Sequence, residues 1–166
     1  MDILIRQVRP GDEEAIVRIL NAIIEAGAYT VLDTPLTVEA EREFMASFPQ
    51  RGLFHVAEDP QRREAVGFQT LEPFATYTRA FDHVGVIATF VDLSLRRRGI
   101  GTRLAEVTLR EAKRDAYEKV FTYVRADNEA ALEFYRRLGF RVVGRAERQA
   151  KLGGSYVDEI IIERFL

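Results

Sequence analysis

Residues 91–116 read VDLSLRRRGIGTRLAEVTLREAKRDA, from Val91 to Ala116, and the rest of the chain is organised around them. The stretch closes an apolar run, Val84–Val91, turns through Asp92–Leu95, and sets Arg96, Arg97 and Arg98 directly before Gly99-Ile100-Gly101. That is strand, loop, helix. Leu104, Ala105, Thr108, Leu109, Ala112 and Ala116 recur as one largely apolar helical stripe, while Arg103, Glu106, Arg110 and Lys113 lie opposite, with Glu106 and Arg110 at a supportive i,i+4 spacing. The charge placement is unusual, because a helix N-terminus is the positive end of the macrodipole and favours acidic neighbours by roughly 0.3–1 kcal/mol each. Three arginines crowd it instead. Free N–H groups at a helix start, glycines that admit a ligand close to the main chain, and a cluster of guanidinium forks describe an anion site of the phosphate kind. The same residues also suit a solvated basic loop in which the glycines serve only the turn. A P-loop would need G-x-x-x-x-G-K-[ST], which is missing, and a Rossmann fingerprint would need glycine or alanine where Leu104 stands.

Composition sets the outer bounds. A chain of 166 residues and 19.0 kDa has the length of one domain, 1–166, able to bury most of its apolar surface in a single core. No apolar run approaches the length of a membrane span, and the opening MDILIRQVRPGDEE has an early acid and no apolar core of the signal-peptide kind. Cysteine is absent, so there is no disulfide framework or thiolate chemistry, and a reducing cytoplasm is compatible. A net charge of -2 and a pI near 5.8 argue against a general nucleic-acid binder despite the local arginines.

Taken in order, Ile3, Ile5 and Val8 form a short strand, Arg9-Pro10-Gly11-Asp12 stops it, and Asp12 is the expected N-cap of a helix carrying Ala15, Ile16, Ile19, Leu20, Ile23 and Ile24. Gly27 ends that helix. Thr37 is expected to cap a second over Val38–Ser47. Leu53–Glu58 and Glu64–Leu71 read as a hairpin turning at Asp59–Arg63, with Gly67 a bulge or a point of close approach. Phe74–Asp82 is an aromatic loop. Lys119–Val124 is a strand, Asp127-Asn128 caps a helix closed by Gly139, and two strands follow, from Arg141 and over Tyr156–Phe165, joined at Leu152–Ser155. The order β, α, α, β, β, β, α, β, α, β, β predicts an α+β fold: a mixed, largely antiparallel sheet of about seven strands flanked by four helices on both faces.

Two motifs now stand in sequence. Arg96-x-x-Gly99-x-Gly101 is followed, one helix and one strand later, by Asn128-x-x-Ala131-x-x-Phe134-Tyr135-x-x-x-Gly139-Phe140. Together they resemble the two hallmarks of the GCN5-related N-acetyltransferase (GNAT) superfamily, and with the element order the resemblance covers essentially the whole chain. Thr30–Thr37, Gly67-Phe68 with Pro73-Phe74, and Gly153–Glu159 look like the phosphinothricin and small-amine acetyltransferases within it. One departure is visible. A glutamate common on the fourth strand of that group is replaced by Val86, followed by Ile87 and Ala88.

The resemblance implies an acetyl-CoA-dependent N-acetyltransferase acting by direct attack of a primary amine of a small molecule or amino acid. It implies that Phe90 and Val91, at a splayed strand end, offer backbone groups to the coenzyme. Arg96, Arg97, Arg98, Gly99, Ile100, Gly101 and Thr102 would hold its diphosphate, and Asn128 its pantetheine side. Tyr135, also at the coenzyme, is the expected general acid, since a phenol of pKa about 10 is protonated at neutral pH. Glu72 is the candidate general base. His83, alone in a loop, and His55, within a strand, are weaker candidates, and no metal site is expected because no His/Asp/Glu cluster has ligand spacing. Other readings are a protein N-terminal or lysine acetyltransferase and a coenzyme-A-binding sensor without turnover. No nucleic-acid or membrane partner is expected, a homodimer through the final strands is possible, and the compartment is the cytoplasm.

Overall fold

The structure is a computed structural model describing residues 2–166. Seven strands, β1 (Leu4–Gln7), β2 (Leu53–Asp59), β3 (Glu64–Pro73), β4 (Val84–Val91), β5 (Lys119–Arg125), β6 (Arg141–Leu152) and β7 (Ser155–Phe165), form one sheet in the order β1-β2-β3-β4-β5-β7-β6. Every neighbouring pair is antiparallel except β4 and β5. The helices are α1 (Glu13–Glu25), α2 (Val38–Ala46), α3 (Ile100–Arg114) and α4 (Glu129–Arg137). This is the α+β architecture expected, with the elements in the expected order.

Alternation along the strands assigns the two faces. Phe54, Val56 and Phe68 meet Ile16, Ile19, Leu20 and Ile23 of α1 on one face. On the other, Leu71, Ile87, Val120 and Val124 pack with Ala105, Leu109 and Ala112 of α3 and Tyr135 of α4. Each large aliphatic side chain so buried contributes about 1.5–3 kcal/mol, and the two layers together hold the sheet between helices. Thr108 sits inside the apolar stripe of α3 for a specific reason: its Oγ1 lies 2.9 Å from Nδ1 of buried His55, whose Nε2 lies 3.0 Å from Glu111. A carboxylate only accepts, so Nε2 carries the hydrogen and Thr108 donates to Nδ1. Burial lowers the His55 pKa in spite of Glu111, and the neutral ring is a structural bridge between sheet and helix.

Two local expectations fail. Asp12 makes no side-chain cap on α1; its carboxylate is instead gripped by Arg6 at 2.8 Å and by the Arg9 amide at 2.8 Å. A two-pronged ion pair outcompetes a neutral amide for the same oxygens. Ala116 does not continue the α3 stripe, because the helix ends at Arg114 and Ala116 is exposed at φ 66°, while Tyr117 turns inward. Thr37 caps α2 as expected, accepting from the Ala40 amide at 3.1 Å.

Candidate active site

The parallel pair carries the site. β4 and β5 are in register only over Val84–Val86 and Lys119–Phe121, although β4 runs on to Val91 and β5 to Arg125. Past Val86 the strands part, and backbone groups of residues 87–91 that face β5 lose their strand partner. Groups left open in this way need water or a ligand to satisfy them. Phe90 stacks on Phe68 with ring centroids 5.0 Å apart and Val91 packs against the cluster of Ile100 and Leu104, which leaves their main chain for the gap.

At the gap's outer end stands the arginine-glycine loop. Asp92 accepts from Ser94 N at 2.9 Å and turns the chain through a 3-10 turn at Leu93–Leu95. Gly99 then adopts φ 78° as the N-cap of α3, with no side chain capping the first amides. Gly99 answers the need for a left-handed residue. Gly101 has a different reason, since a Cβ there would lie 3.1 Å from the Phe134 ring of α4. The glycine lets α3 and α4 approach, so it serves packing as well as the loop. Gly67 does the same on β3, where a Cβ would meet the Phe90 carbonyl at 3.1 Å and Ile100 at 3.3 Å, next to a register shift at Ala57/Glu58. Among the described residues no carboxylate pairs with Arg96, Arg97 or Arg98, so three guanidiniums without an ion-pair partner immediately precede an uncapped helix start. These residues fit a diphosphate.

Tyr135 is buried on the α4 side of the same gap. Its ring packs edge-on against Phe134 and Phe140, and its hydroxyl lies 3.0 Å from Thr89 Oγ1. Burial pushes the phenol up to about 12 against the opposing pull of Thr89, so it holds its proton across the physiological range. Thr89 in turn accepts from Gln69 Nε2 at 2.7 Å. Neither Thr89 nor Gln69 was marked by the sequence motifs; a polar residue at matching positions of two apolar strands is the only signal that would have found them.

Glu72 is half-buried on β3, and burial raises its pKa. Its register partner on β4 is Val86, the position where the resembling group carries glutamate. The carboxylate therefore stands one strand over at the same level, at the last rung before the gap. Because Gln69 and Leu71 face α3 and α4, Glu72 points to the opposite face from Tyr135. That face is lined by Phe121 and Tyr123, with Phe74 at 5.2 Å from Phe121 and Phe81 at 5.0 Å from Phe74. Glu159 of β7, buried and also raised in pKa by burial, shares this face beside Arg125 and has no ion-pair or hydrogen-bond partner among the described residues. His83 is exposed and takes no part.

The loop between α1 and α2 closes over this region. Arg125, paired with Asp127 at 2.7 Å, also donates to the carbonyls of Gly27 at 2.9 Å and Thr30 at 3.0 Å. Asn128 caps α4 by accepting from Ala131 N at 3.2 Å and donates to the Tyr29 carbonyl at 3.3 Å. Its side chain is thus engaged at both ends. The Arg96 guanidinium lies over the Tyr29 ring at 3.8 Å. Arg125 was invisible as a site residue because nothing in its local sequence distinguishes it.

Comparison with known proteins agrees with this geometry. YwnH of Bacillus subtilis (strain 168), provisionally named a phosphinothricin acetyltransferase, is 26% identical over 158 residues, 93% of this chain and 94% of that protein. A mycothiol acetyltransferase of Mycobacteroides abscessus is 34% identical over 140 residues, 80% of this chain but 43% of the relative, so the chain spans less than half of that protein. A crystal structure of a phosphinothricin acetyltransferase from Sinorhizobium meliloti, determined with AcCoA, superposes with a TM-score of 0.90 at 18% identity over 100% of this chain and 89% of that one. A ribosomal-protein-alanine N-acetyltransferase from Brucella melitensis superposes equally well, at 0.90 and 22% identity over 98% and 99%. Such likeness shows the fold and leaves the acceptor open. The acetyltransferase (GNAT) family model matches residues 18–140, and this chain belongs to that family.

Proposed function

We propose that this protein moves an acetyl group from acetyl-CoA to the primary amine of a small molecule or amino acid by direct attack. One observation carries the reading: where β4 leaves β5, a phenol that keeps its proton and a half-buried carboxylate approach the gap from opposite faces of the sheet. Acetyl-CoA, when bound, supplies the acetyl group as a thioester and departs as a thiol. The amides of Gly99–Thr102, with Arg96, Arg97 and Arg98, would hold its diphosphate, and the main chain at Phe90 and Val91 its pantetheine arm. Asn128 contributes through its position at the α4 start. Tyr135 is placed to give its proton on one side, and Glu72, directly or through water, to take the amine's on the other.

A small acceptor is favoured by the bulk around that face. The aromatic cluster of Phe74, Phe81 and Phe121 on one side and the loop tied down by Arg125 on the other add bulk at that face, which suits a compact acceptor. The chain has no cysteine, which suits the cytoplasm, and homodimerisation through the final strands completes the reading.

Thiol release from acetyl-CoA, measured with a panel of methionine analogues, polyamines and peptides, tests it. Turnover with the small amines and not the peptides is the expected result. Turnover with peptides alone overturns the acceptor class, and tight acetyl-CoA binding with no turnover would make the protein a sensor.

A further inference from the structure

We infer that Gln69 and Thr89 are positioning residues for Tyr135, holding its oxygen from the buried side so that its proton is presented to the gap between β4 and β5. The inference rests on the reading of Tyr135 as proton donor. Its warrant is an inventory of hydrogens. Gln69 Nε2, 2.7 Å from Thr89 Oγ1, can only donate, so Thr89 accepts there. Thr89 has one hydrogen left to give, and its other protein partner is the Tyr135 oxygen at 3.0 Å. If Tyr135 donated to Thr89 instead, the threonine hydrogen would lose its one protein acceptor. The chain therefore runs Gln69 to Thr89 to Tyr135, and the phenol hydrogen is left over for the gap.

The polarity depends on which way the Gln69 amide faces. Gln69 is fully buried and its Oε1 has no partner among the described residues. Turned round, the amide would accept from Thr89, Thr89 would accept from Tyr135, and the phenol's proton would be tied up inside the protein. That arrangement buries an amide nitrogen with no acceptor for either hydrogen, and orphaned N–H groups are rarer in proteins than under-satisfied carbonyls. Among the described residues no charged side chain shifts the phenol; its ring and hydroxyl neighbours include Phe134, Phe140 and Thr89. When the phenol gives its proton to the departing thiolate, the Thr89 hydroxyl keeps its hydrogen and donates it as a hydrogen bond to the phenolate oxygen, which is then reprotonated from water. The lowering influence of Thr89 on the phenol's pKa agrees with donation in that direction.

Two measurements test this. In the ligand-free protein with fluorotyrosine incorporated at position 135, absorbance titration should show the phenol pKa rising with Thr89→Val and nearly unmoved with Thr89→Ser, circular dichroism verifying that each variant is folded. In thiol release from acetyl-CoA with the amine panel, Thr89→Val should lower kcat about 10-fold, a part of the 10²–10⁴-fold that a positioned proton donor supplies, with KM for acetyl-CoA unchanged. Thr89→Ser should recover most of the loss, and Gln69→Leu should show a smaller loss of the same kind. In a Tyr135→Phe background Thr89→Val should add nothing, because there is no proton left to aim. An equal loss in both backgrounds, or a fluorotyrosine pKa indifferent to Thr89→Val, overturns the inference and leaves the acid role of Tyr135 standing. Full turnover by Tyr135→Phe alone overturns both.

Discussion

Tyr135 and Glu72 obey the same physics with opposite consequences. Burial disfavours the charged form of each, which keeps a phenol protonated and makes a carboxyl a stronger base. Tyr135→Phe should reduce kcat by about 10²-fold or more with little change in KM for acetyl-CoA, and loss of the phenol's own proton should cause no alkaline fall in wild-type turnover across the physiological range. Glu72 acts only when ionised, so activity should rise with pH through a midpoint above the ordinary glutamate range, and Glu72→Gln should abolish that rise. The sign for stability is reversed: a carboxyl whose folded pKa is raised binds its proton better folded than unfolded, so it costs stability above that pKa. Glu72→Gln should therefore leave the melting temperature at neutral pH unchanged or higher, the mark of a residue kept for chemistry. Asp12 is the converse case. Burial would raise its pKa, but the Arg6 hydrogen bonds and the Arg9 amide outweigh it and hold it low. Its stabilisation is present at pH values above the unfolded aspartate pKa and disappears as pH falls through the lower folded one. Asp12→Asn should cost about 1.5–3 kcal/mol at neutral pH and much less in acid, read by denaturant unfolding at both. At this scale the sequence was informative about Tyr135 because two hallmarks frame it. Thr89, Gln69 and Glu159 were hidden because a polar residue inside an apolar strand says nothing of which face it takes until neighbouring strands are in register.

Just before α3, the run Arg96-Arg97-Arg98 against an uncapped N-terminus reads as a candidate anion site because it contradicts the preference of the macrodipole. Replacing all three arginines with glutamine should weaken acetyl-CoA binding and flatten its dependence on ionic strength, measured by calorimetry at low and high salt. The two glycines separate by mechanism. Gly99→Ala places a Cβ on a left-handed residue in open space, costing about 1–2 kcal/mol of stability. Gly101→Val drives a side chain into the Phe134 ring, so it should pry α3 from α4 and weaken acetyl-CoA binding together with stability, whereas Gly99→Ala should affect stability more than the packing of α4. Spacing alone assigned both glycines to the loop. Only the approach of Gly101 to the Phe134 ring of α4 reveals that one of them belongs to a helix contact.

Across the molecule, the gap at the candidate site exists because one parallel pair is left incomplete inside an otherwise antiparallel sheet. The outer strand β6 is long, and Val142 and Val143 on it are 67% and 55% exposed. Its bulges at Val142/Gly144 and Ala146/Ala150 interrupt edge pairing, which leaves side-chain contact as the route by which two copies would join. Equilibrium sedimentation is expected to give twice the monomer mass, with Val142→Lys/Val143→Lys returning it to 19.0 kDa; a wild-type monomer would refute the pairing. The sequence by itself determined the order of elements, the two faces of the amphipathic helices, the arginine-glycine loop and the tyrosine motif, because periodicity and turn chemistry are local. Tertiary structure alone decided that β4 and β5 part after three rungs, that Glu72 stands across from Val86, that Arg125 ties down a loop almost a hundred residues earlier, and that Gln69 and Thr89 lead to Tyr135. Those facts depend on register and sheet order, which arise from how distant segments fit against one another and which leave no mark on any one of them.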